Sequence, residues 1–430
     1  MRKSTVAVAL LLLSCSVANG QFLMDMIDTT KDLGKGMLGM YQRFNHIQFS
    51  GYMQPQFQVA ESKGAGGNIY AGGSFPSNTN NRFRLRRGRV RIDYAHFNKL
   101  NKPQFQFVFQ FDGTEQGVNI RDFWGRYWEN KWELFSFTTG MFARPFGWEI
   151  NLSSSNRETP ERGRMSQTLM KTERDLGFMT SLEKRNAKSG LFKYIKVDAG
   201  VFNGQGLAGS TEYDSYKDFI GQIVVKPVSL SKTVSIGGGA SILQGKLLQS
   251  NKYRYTYDDS KGAMVADSSH GGGAAPRQYR GVNAQVSLKH GWGKTQWRAE
   301  YWTGTQSAGE FATETPPTTL TEPMYVRKFN GAFFYFIQDI LTPNTQFLLK
   351  YDWYDPNTDV KGKEIGVPQS KLTQADICYN TWGVGVLQHL NSHVKVTLFY
   401  DIVHNELTSL PPYDVDAKDN ILTLRAQFSF

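Results

Sequence analysis

The chain has 430 residues, 40% hydrophobic and 13% aromatic, with 42 Gly, 15 Pro and only 2 Cys. The aromatic content excludes a disordered chain, and the cysteine count excludes a disulfide-stapled scaffold. With 49 basic and 38 acidic residues the formal charge is +11, which suits an anionic partner. A mean hydropathy of −0.44 excludes a bundle of transmembrane helices, each of which needs about 20 nearly uncharged apolar residues.

Residues 1–20 carry Arg2 and Lys3, an apolar run from Val6 to Leu13, and then small and polar residues ending at Asn19 and Gly20. This is the order of a secretory signal peptide with a cut after Gly20. Removing it leaves Cys378 as the only cysteine, so the mature chain forms no intrachain disulfide. Residues 21–45 place Leu23, Met26, Ile27, Leu33, Met37, Leu38, Tyr41 and Phe44 at near-helical spacing, interrupted by Gly34, Gly36 and Gly39. They read as a short amphipathic segment that packs on the main domain, plugs it or lies at a membrane surface.

From residue 46 onward the pattern has period two. Phe49, Gly51, Met53, Phe57 and Val59 share one parity against Ser50, Gln54, Gln56 and Gln58 on the other. Phe105, Phe107, Phe109 and Phe111 oppose Gln104, Gln106 and Gln110, and near the end Leu422, Leu424, Ala426, Phe428 and Phe430 oppose Thr423, Arg425, Gln427 and Ser429. Alternation of this kind predicts strands with one apolar and one polar face.

Sixteen such segments are expected, near 46–60, 82–97, 104–112, 118–129, 132–143, 175–184, 191–202, 218–226, 233–243, 280–290, 295–304, 328–338, 345–355, 376–388, 393–403 and 420–430. Links after even-numbered strands are short, as at Asn98, Glu129, His290 and His389. Links after odd-numbered strands are mostly long, with Asp112 to Gly117 the exception. Short turns alternating with long loops, on strands of about ten residues, predict an all-β, 16-stranded antiparallel transmembrane β-barrel with periplasmic turns and outer loops, spanning 46–430. A bilayer offers no water to pair with exposed amides, so the spanning strands must close on themselves. Trp124, Trp128, Trp132, Tyr351, Trp353, Tyr400 and Phe430 fall near strand ends, where aromatic girdles are expected, and Pro55 suggests a bulge. A secreted β-sandwich or solenoid shares the alternation and the signal peptide but gives no reason for the loop asymmetry.

The stretch FTTGMFARPFGWE, from Phe137 to Glu149, resembles the strand and turn leading into the inward-folded loop of the phosphate-selective porin family, the O and P porins. RRGRVRID at Arg86, RDLGF at Arg174, VFNGQG at Val201, YDWYDPN at Tyr351, TWGVGVLQHLN at Thr381, VKVTLFYD at Val394 and the closing LRAQFSF extend the resemblance over almost the whole mature chain. It implies a trimeric channel of a Gram-negative outer membrane, with a basic lumen that passes anions. A terminal aromatic of this kind resembles the signal read by the outer-membrane barrel assembly machinery.

Arg82, Arg84, Arg86, Arg87, Arg89 and Arg91 crowd the second strand. With Val90, Ile92 and Tyr94 facing lipid, Arg87, Arg89 and Arg91 point into the lumen beside Asp93, about 6.5 to 7 Å apart along one face, a ladder of bidentate anion partners. Phe83 and Leu85 break the parity, leaving Arg82, Arg84 and Arg86 to solvate the outer mouth. The alternative is that the arginines pair with wall carboxylates and hold loops in place.

The third loop, 144–174, is the expected constriction. From Arg144 to Asp175, Arg144, Arg157, Arg162, Arg164, Lys171 and Arg174 stand against Glu149, Glu158, Glu161, Glu173 and Asp175, with Arg157–Glu158 and Glu161–Arg162 as candidate self-neutralising pairs. Elsewhere on inward parities, Arg298, Lys350, Lys395 and Arg425 are offset by Glu300, Asp352 and Asp401.

The seven histidines show no metal-ligand spacing, HGGGAA at His270 sits in a loop with no GxSxG elsewhere, and there is no nucleotide fingerprint. The expectation is therefore no enzyme activity, no cofactor, no metal and, for an exported chain, no nucleic-acid partner. The reading is an outer-membrane porin for small hydrophilic solutes, modestly favouring anions such as phosphate, with the outer-membrane lipid as its surround and a homotrimer as its assembly. The alternatives are a sugar or peptide channel using Phe146, Trp148 and Trp302 as stacking surfaces, and a non-conducting barrel that anchors a larger assembly.

Overall fold

The computed structural model describes residues 46–65, 73–185, 187, 190–207, 212–315, 321–340 and 342–430. The signal peptide and the amphipathic segment expected at 1–20 and 21–45 lie outside the described residues.

The strands are β1 (Ile47–Ala60), β2 (Asn81–Phe97), β3 (Pro103–Thr114), β4 (Gly117–Trp128), β5 (Phe135–Ala143), β6 (Arg174–Leu182), β7 (Ile195–Phe202), β8 (Asp218–Ser229), β9 (Val234–Leu248), β10 (Arg254–Asp258), β11 (Ala263–Asp267), β12 (Ala274–His290), β13 (Gly293–Ala308), β14 (Met324–Ile340), β15 (Thr342–Asp355), β16 (Tyr379–His389), β17 (Val394–Asn405) and β18 (Ile421–Ser429). Each barrel strand pairs antiparallel with the next, β9 pairs with β12, and β18 returns to β1, where Gln56 stands opposite Arg425. Among the described residues this is a closed 16-stranded barrel, and all sixteen expected segments are strands in it.

The sequence did not announce β10 and β11. They form a hairpin in the long loop between β9 and β12, with β10 lying parallel to the start of β14.

Burial is inverted relative to a soluble sheet. In β18, Thr423, Arg425 and Gln427 are buried while Leu422, Leu424 and Phe428 are exposed. In β1, Gln54, Gln56 and Gln58 are buried while Phe49, Met53 and Val59 are exposed. An apolar outside and a polar inside is what a lipid surround demands, and a sixteen-stranded cylinder leaves an aqueous interior.

Two irregularities aim extra charge inward. In β4 the register with β3 shifts so that Asp122 faces Gln110 and Ile120 faces Phe111, which leaves Arg121 as an inserted residue. In β2, Phe83 is 84% exposed, yet both Arg86 and Arg87 reach the same loop carboxylate inside the barrel. Local slips of alternation at such places re-aim side chains. The bulge expected at Pro55 is absent on the β18 side, where Met53–Phe428 and Gln56–Arg425 keep one register.

Two girdle assignments are also corrected. Trp124 and Trp128 flank Arg126, whose guanidinium lies 5.1 and 6.0 Å from their ring centres, and Trp124 packs on the interior cluster. Phe123 and Tyr127 are the outward aromatics of β4. Trp132 and Phe430 are exposed as expected.

Candidate functional site: the loop across the lumen

The link between β5 and β6, from Arg144 to Glu173, folds into the lumen and is fastened to most of the inner wall. Its own apolar residues Phe146, Ile150, Met165 and Leu169 pack against Phe142, Phe202, Trp302 and Phe333 of the wall, each buried ring or branched side chain stabilising by roughly 1.5–3 kcal/mol. A short helix, α1 (Arg164–Leu169), sits in the last third of the loop.

On one side, Glu300 of β13 accepts from the Trp148 and Glu149 amides at 3.0 Å and from Trp302 Nε1 at 2.6 Å. Glu149 accepts from the Gly163 amide at 3.1 Å, from Tyr335 of β14 at 2.7 Å and from Ser166. Gly147 has φ +65°, and a Cβ there would collide with the Glu300 carboxylate, so the turn requires glycine. Asp352 of β15 accepts from the Arg164 amide at 3.1 Å and pairs with Lys350 at 2.9 Å.

The opposite side is cationic. Glu161 receives Arg86 at 2.8 Å, Arg87 at 3.2 Å and Arg425 at 2.7 Å, three guanidiniums on one buried carboxylate. Burial by itself raises the Glu161 carboxyl, but Arg86, Arg87 and Arg425 outweigh it and hold it well below the usual carboxylate range. Glu173 behaves alike: burial raises it, and Arg121, Arg162 and Arg174 bring it well below. Arg89 donates to Tyr52 Oη at 2.6 Å, to Ser154 Oγ at 2.8 Å and to Asp112 at 2.9 Å. Lys395 donates to the Ser155 and Arg157 carbonyls at 2.6 and 3.0 Å.

The expected site residues thus separate by position. Arg89, Arg91 and Arg174 line a cavity of about 640 Å³ together with Lys395, His389 and His393, with Glu158 the acidic group on its wall. Arg91 is clamped by Asp93 at 2.6 and 2.7 Å, and Arg174 by Asp122 at 3.1 and 3.2 Å. Arg87 lies behind them on Glu161 and Gln54. Arg144 donates to the Thr172 carbonyl, Arg162 to the Ser166 and Met170 carbonyls at 3.3 Å, and Arg164 lies 4.0 Å over the Tyr379 ring. Lys171 pairs with Glu314 at 2.7 Å, away from the cavity. The Arg157 side chain is buried, with Nε and Nη1 unpartnered among the described residues.

Three expectations are corrected here. Glu158 pairs bidentately with Arg298 at 2.8 and 2.9 Å, and Arg162 with Glu173 at 3.6 Å, so the loop charges are met by partners other than their sequence neighbours. Arg86 belongs to the loop anchor and does not solvate the mouth, whereas Arg82 and Arg84 bind the Gly73 carbonyl and Glu115 near the loop end. Phe146 and Trp302 meet edge to face at 4.8 Å and are fully buried, leaving neither ring a face for a sugar, while the partly buried Trp148 ring has the Arg298 guanidinium 4.9 Å over it. Lys395, Arg121, Arg425 and Glu161 carry more of the site than sequence order suggests. For Lys395, Arg425 and Glu161 the signal was inward parity or a loop position, with the pairing not readable, whereas Arg121 enters at the register slip of β4 and carried no such signal.

In comparisons with solved structures, the chain resembles the outer membrane channel DcaP of Acinetobacter baumannii at 12% identity, over 89% of this chain and 97% of that one, with a TM-score of 0.56. It resembles Pseudomonas putida OprB at 11% identity over 93% and 98%, TM-score 0.53, and an anion-selective porin from Comamonas acidovorans at 9% identity over 89% and 99%, TM-score 0.52. No family model and no curated protein matches the chain. At these identities the likeness is one of architecture: the chain has the sixteen-stranded barrel fold found in outer-membrane porins.

Proposed function

We propose that the protein is a passive diffusion channel of a Gram-negative outer membrane, passing small hydrophilic solutes with a modest preference for anions. The observation that carries this reading is the lining of the 640 Å³ cavity. Arg89, Arg91, Arg174 and Lys395 face it, while Glu158, the acidic side chain on its wall among the described residues, is tied to Arg298. A wall of one sign raises the local concentration of counter-ions, and ion-paired guanidiniums bind an anion weakly enough to release it. The loop supplies the size limit, since it crosses the lumen on anchors at Glu300, Tyr335, Arg425 and Arg87.

The preference stays modest because Asp93, Asp112, Asp122 and Glu173 offset much of the basic charge. A homotrimer, and phosphate among the anions carried, follow from the family resemblance and belong to this proposal. The test is solute entry into liposomes containing the protein, comparing neutral and singly anionic solutes of equal size. Faster entry of the anion supports the reading, and liposomes that stay impermeable although the folded barrel has inserted would contradict it.

A further inference from the structure

The outer wall carries a second feature that transport does not use. On the outward face of β12 the apolar positions Leu288, Val286, Ala284 and Val282 run toward the loop end and stop at Arg280, which is exposed. On the neighbouring strand β9, the outward row of Ile236, Gly238, Ala240 and Ile242 stops at Gln244 and Lys246. The ladder sets Arg280 opposite Ile242, Gln278 opposite Gln244 and Pro276 opposite Lys246, so one patch of wall joins the two cations and the two amides. Among the described residues neither Arg280 nor Lys246 has a carboxylate within ion-pair distance, whereas Lys328, two strands away, is paired with Asp359 at 3.0 Å. Thr303 and Thr305 of β13 flank Arg280 and Gln278 and add hydroxyls to the same rim.

Directly toward the turn end lies an outward groove of about 390 Å³, floored by Ala284 and Ala299 and walled by Trp297, Phe334, Tyr351 and Trp382. Ala284 stands on the same strand and face as Arg280, four residues away, about 13 Å along the strand. Small side chains between large rings make a furrow on the part of the wall that faces hydrocarbon. An unpaired cation at its loop-side end sits where a lipid headgroup would lie.

We propose that this face holds an anionic phospholipid, one whose headgroup is net negative, with the phosphate on Arg280 and Lys246 and an acyl chain in the groove over Ala284 and Ala299. Charge complementarity selects the headgroup: Arg280 and Lys246 stand four residues apart along the ladder with the amides of Gln278 and Gln244 between them and, among the described residues, no carboxylate within ion-pair distance, and guanidinium binds phosphate oxygens bidentately. The proposal rests on the membrane-spanning reading of the barrel and is independent of what the lumen conducts.

The test is native mass spectrometry of the full protein in detergent, with dimyristoyl phosphatidylglycerol and dimyristoyl phosphatidylcholine as probes. The parent protein is expected to retain the phosphatidylglycerol preferentially, and R280Q/K246Q to lose that preference about thirtyfold, the scale for two basic residues at an anionic surface. A284F, on a lipid-facing position that leaves the interior untouched, is expected to reduce retention of both lipids by filling the groove. Equal retention of the two lipids by the parent, or unchanged preference in R280Q/K246Q, would overturn the site. Flotation of parent and variants with liposomes separates the two readings: barrels that insert but show no preference refute the lipid site alone, and barrels that fail to insert refute the membrane reading beneath it.

Discussion

Glu161 of the lumen loop and Arg425 of the last strand are 264 residues apart in sequence and share a buried ion pair of 2.7 Å. Arg86 and Arg87 of the second strand close on the same carboxylate, so one loop residue ties together both sides of the barrel seam where β18 meets β1. Removing this carboxylate leaves three guanidiniums with an uncompensated charge. E161Q is expected to loosen the loop by roughly 3–5 kcal/mol, the scale for breaking a buried ion pair from one side. Limited trypsin digestion reports it: cleavage after Arg157, Arg162 or Arg164 in E161Q but not in the parent is the expected result, and equal resistance would count against the anchor.

The same carboxylate sets an acid limit. Glu161 and Glu173 are held well below their ordinary value of 4.5, so their contribution is complete above that value. It declines as pH falls from there through the lower folded-state values. Loop docking is therefore expected to be unchanged from pH 8 to about 5 and to weaken progressively below about 4.5. Trypsin cannot report at such pH, so pepsin digestion between pH 2 and 4.5 serves. Loop cleavage that grows as pH drops is expected, and cleavage that is equally fast at pH 4.5 and pH 2 would contradict the assignment.

Gly147 turns the chain into Glu300 with φ +65°, a backbone conformation that disfavours a side chain. G147A is expected to displace the Trp148 and Glu149 amides from the Glu300 carboxylate and to make single-channel current noisier without unfolding the barrel. Quiet, parent-like current in G147A would show that the turn tolerates a Cβ.

Cys378, in the link before β16, is half-buried, and burial pushes its thiol up to about 12, with Asp355 and Glu406 adding to the shift. A thiol so rarely ionised reacts slowly. Iodoacetamide at pH 8 is expected to leave Cys378 unmodified in the folded protein and to label it after denaturation, which mass spectrometry resolves. Rapid labelling of the folded state would show that the surrounding loop opens.

The barrel was legible because lipid enforces period two on one face. Phe105 to Phe111 and Leu422 to Phe428 can alternate only one way, and all sixteen strands followed. The β10–β11 hairpin was not legible: it stands beyond the apolar band, where Tyr255 and Tyr257 pack among loops and no lipid sets the pattern. The inward arginines Arg87, Arg89 and Arg91 were read from the parity of Val90 and Ile92. Arg86 and Arg121 were not, because each enters the lumen at a slip in alternation that charged sequence on both faces conceals. Partners such as Glu158 with Arg298 depend on where a thirty-residue loop crosses the barrel, which local spacing does not encode.

The central claim is a water-filled lumen whose wall favours anions, and the most direct measurement is the reversal potential of the purified protein in a planar bilayer under a potassium chloride gradient. The expected result is an anion-favouring potential that shifts toward zero when Arg89, Arg91 and Arg174, which face the cavity, are replaced together with Gln, with assembly intact on a native gel. A cation-favouring potential in the parent, or an unchanged permeability ratio in the triple variant, would contradict the role given to those arginines.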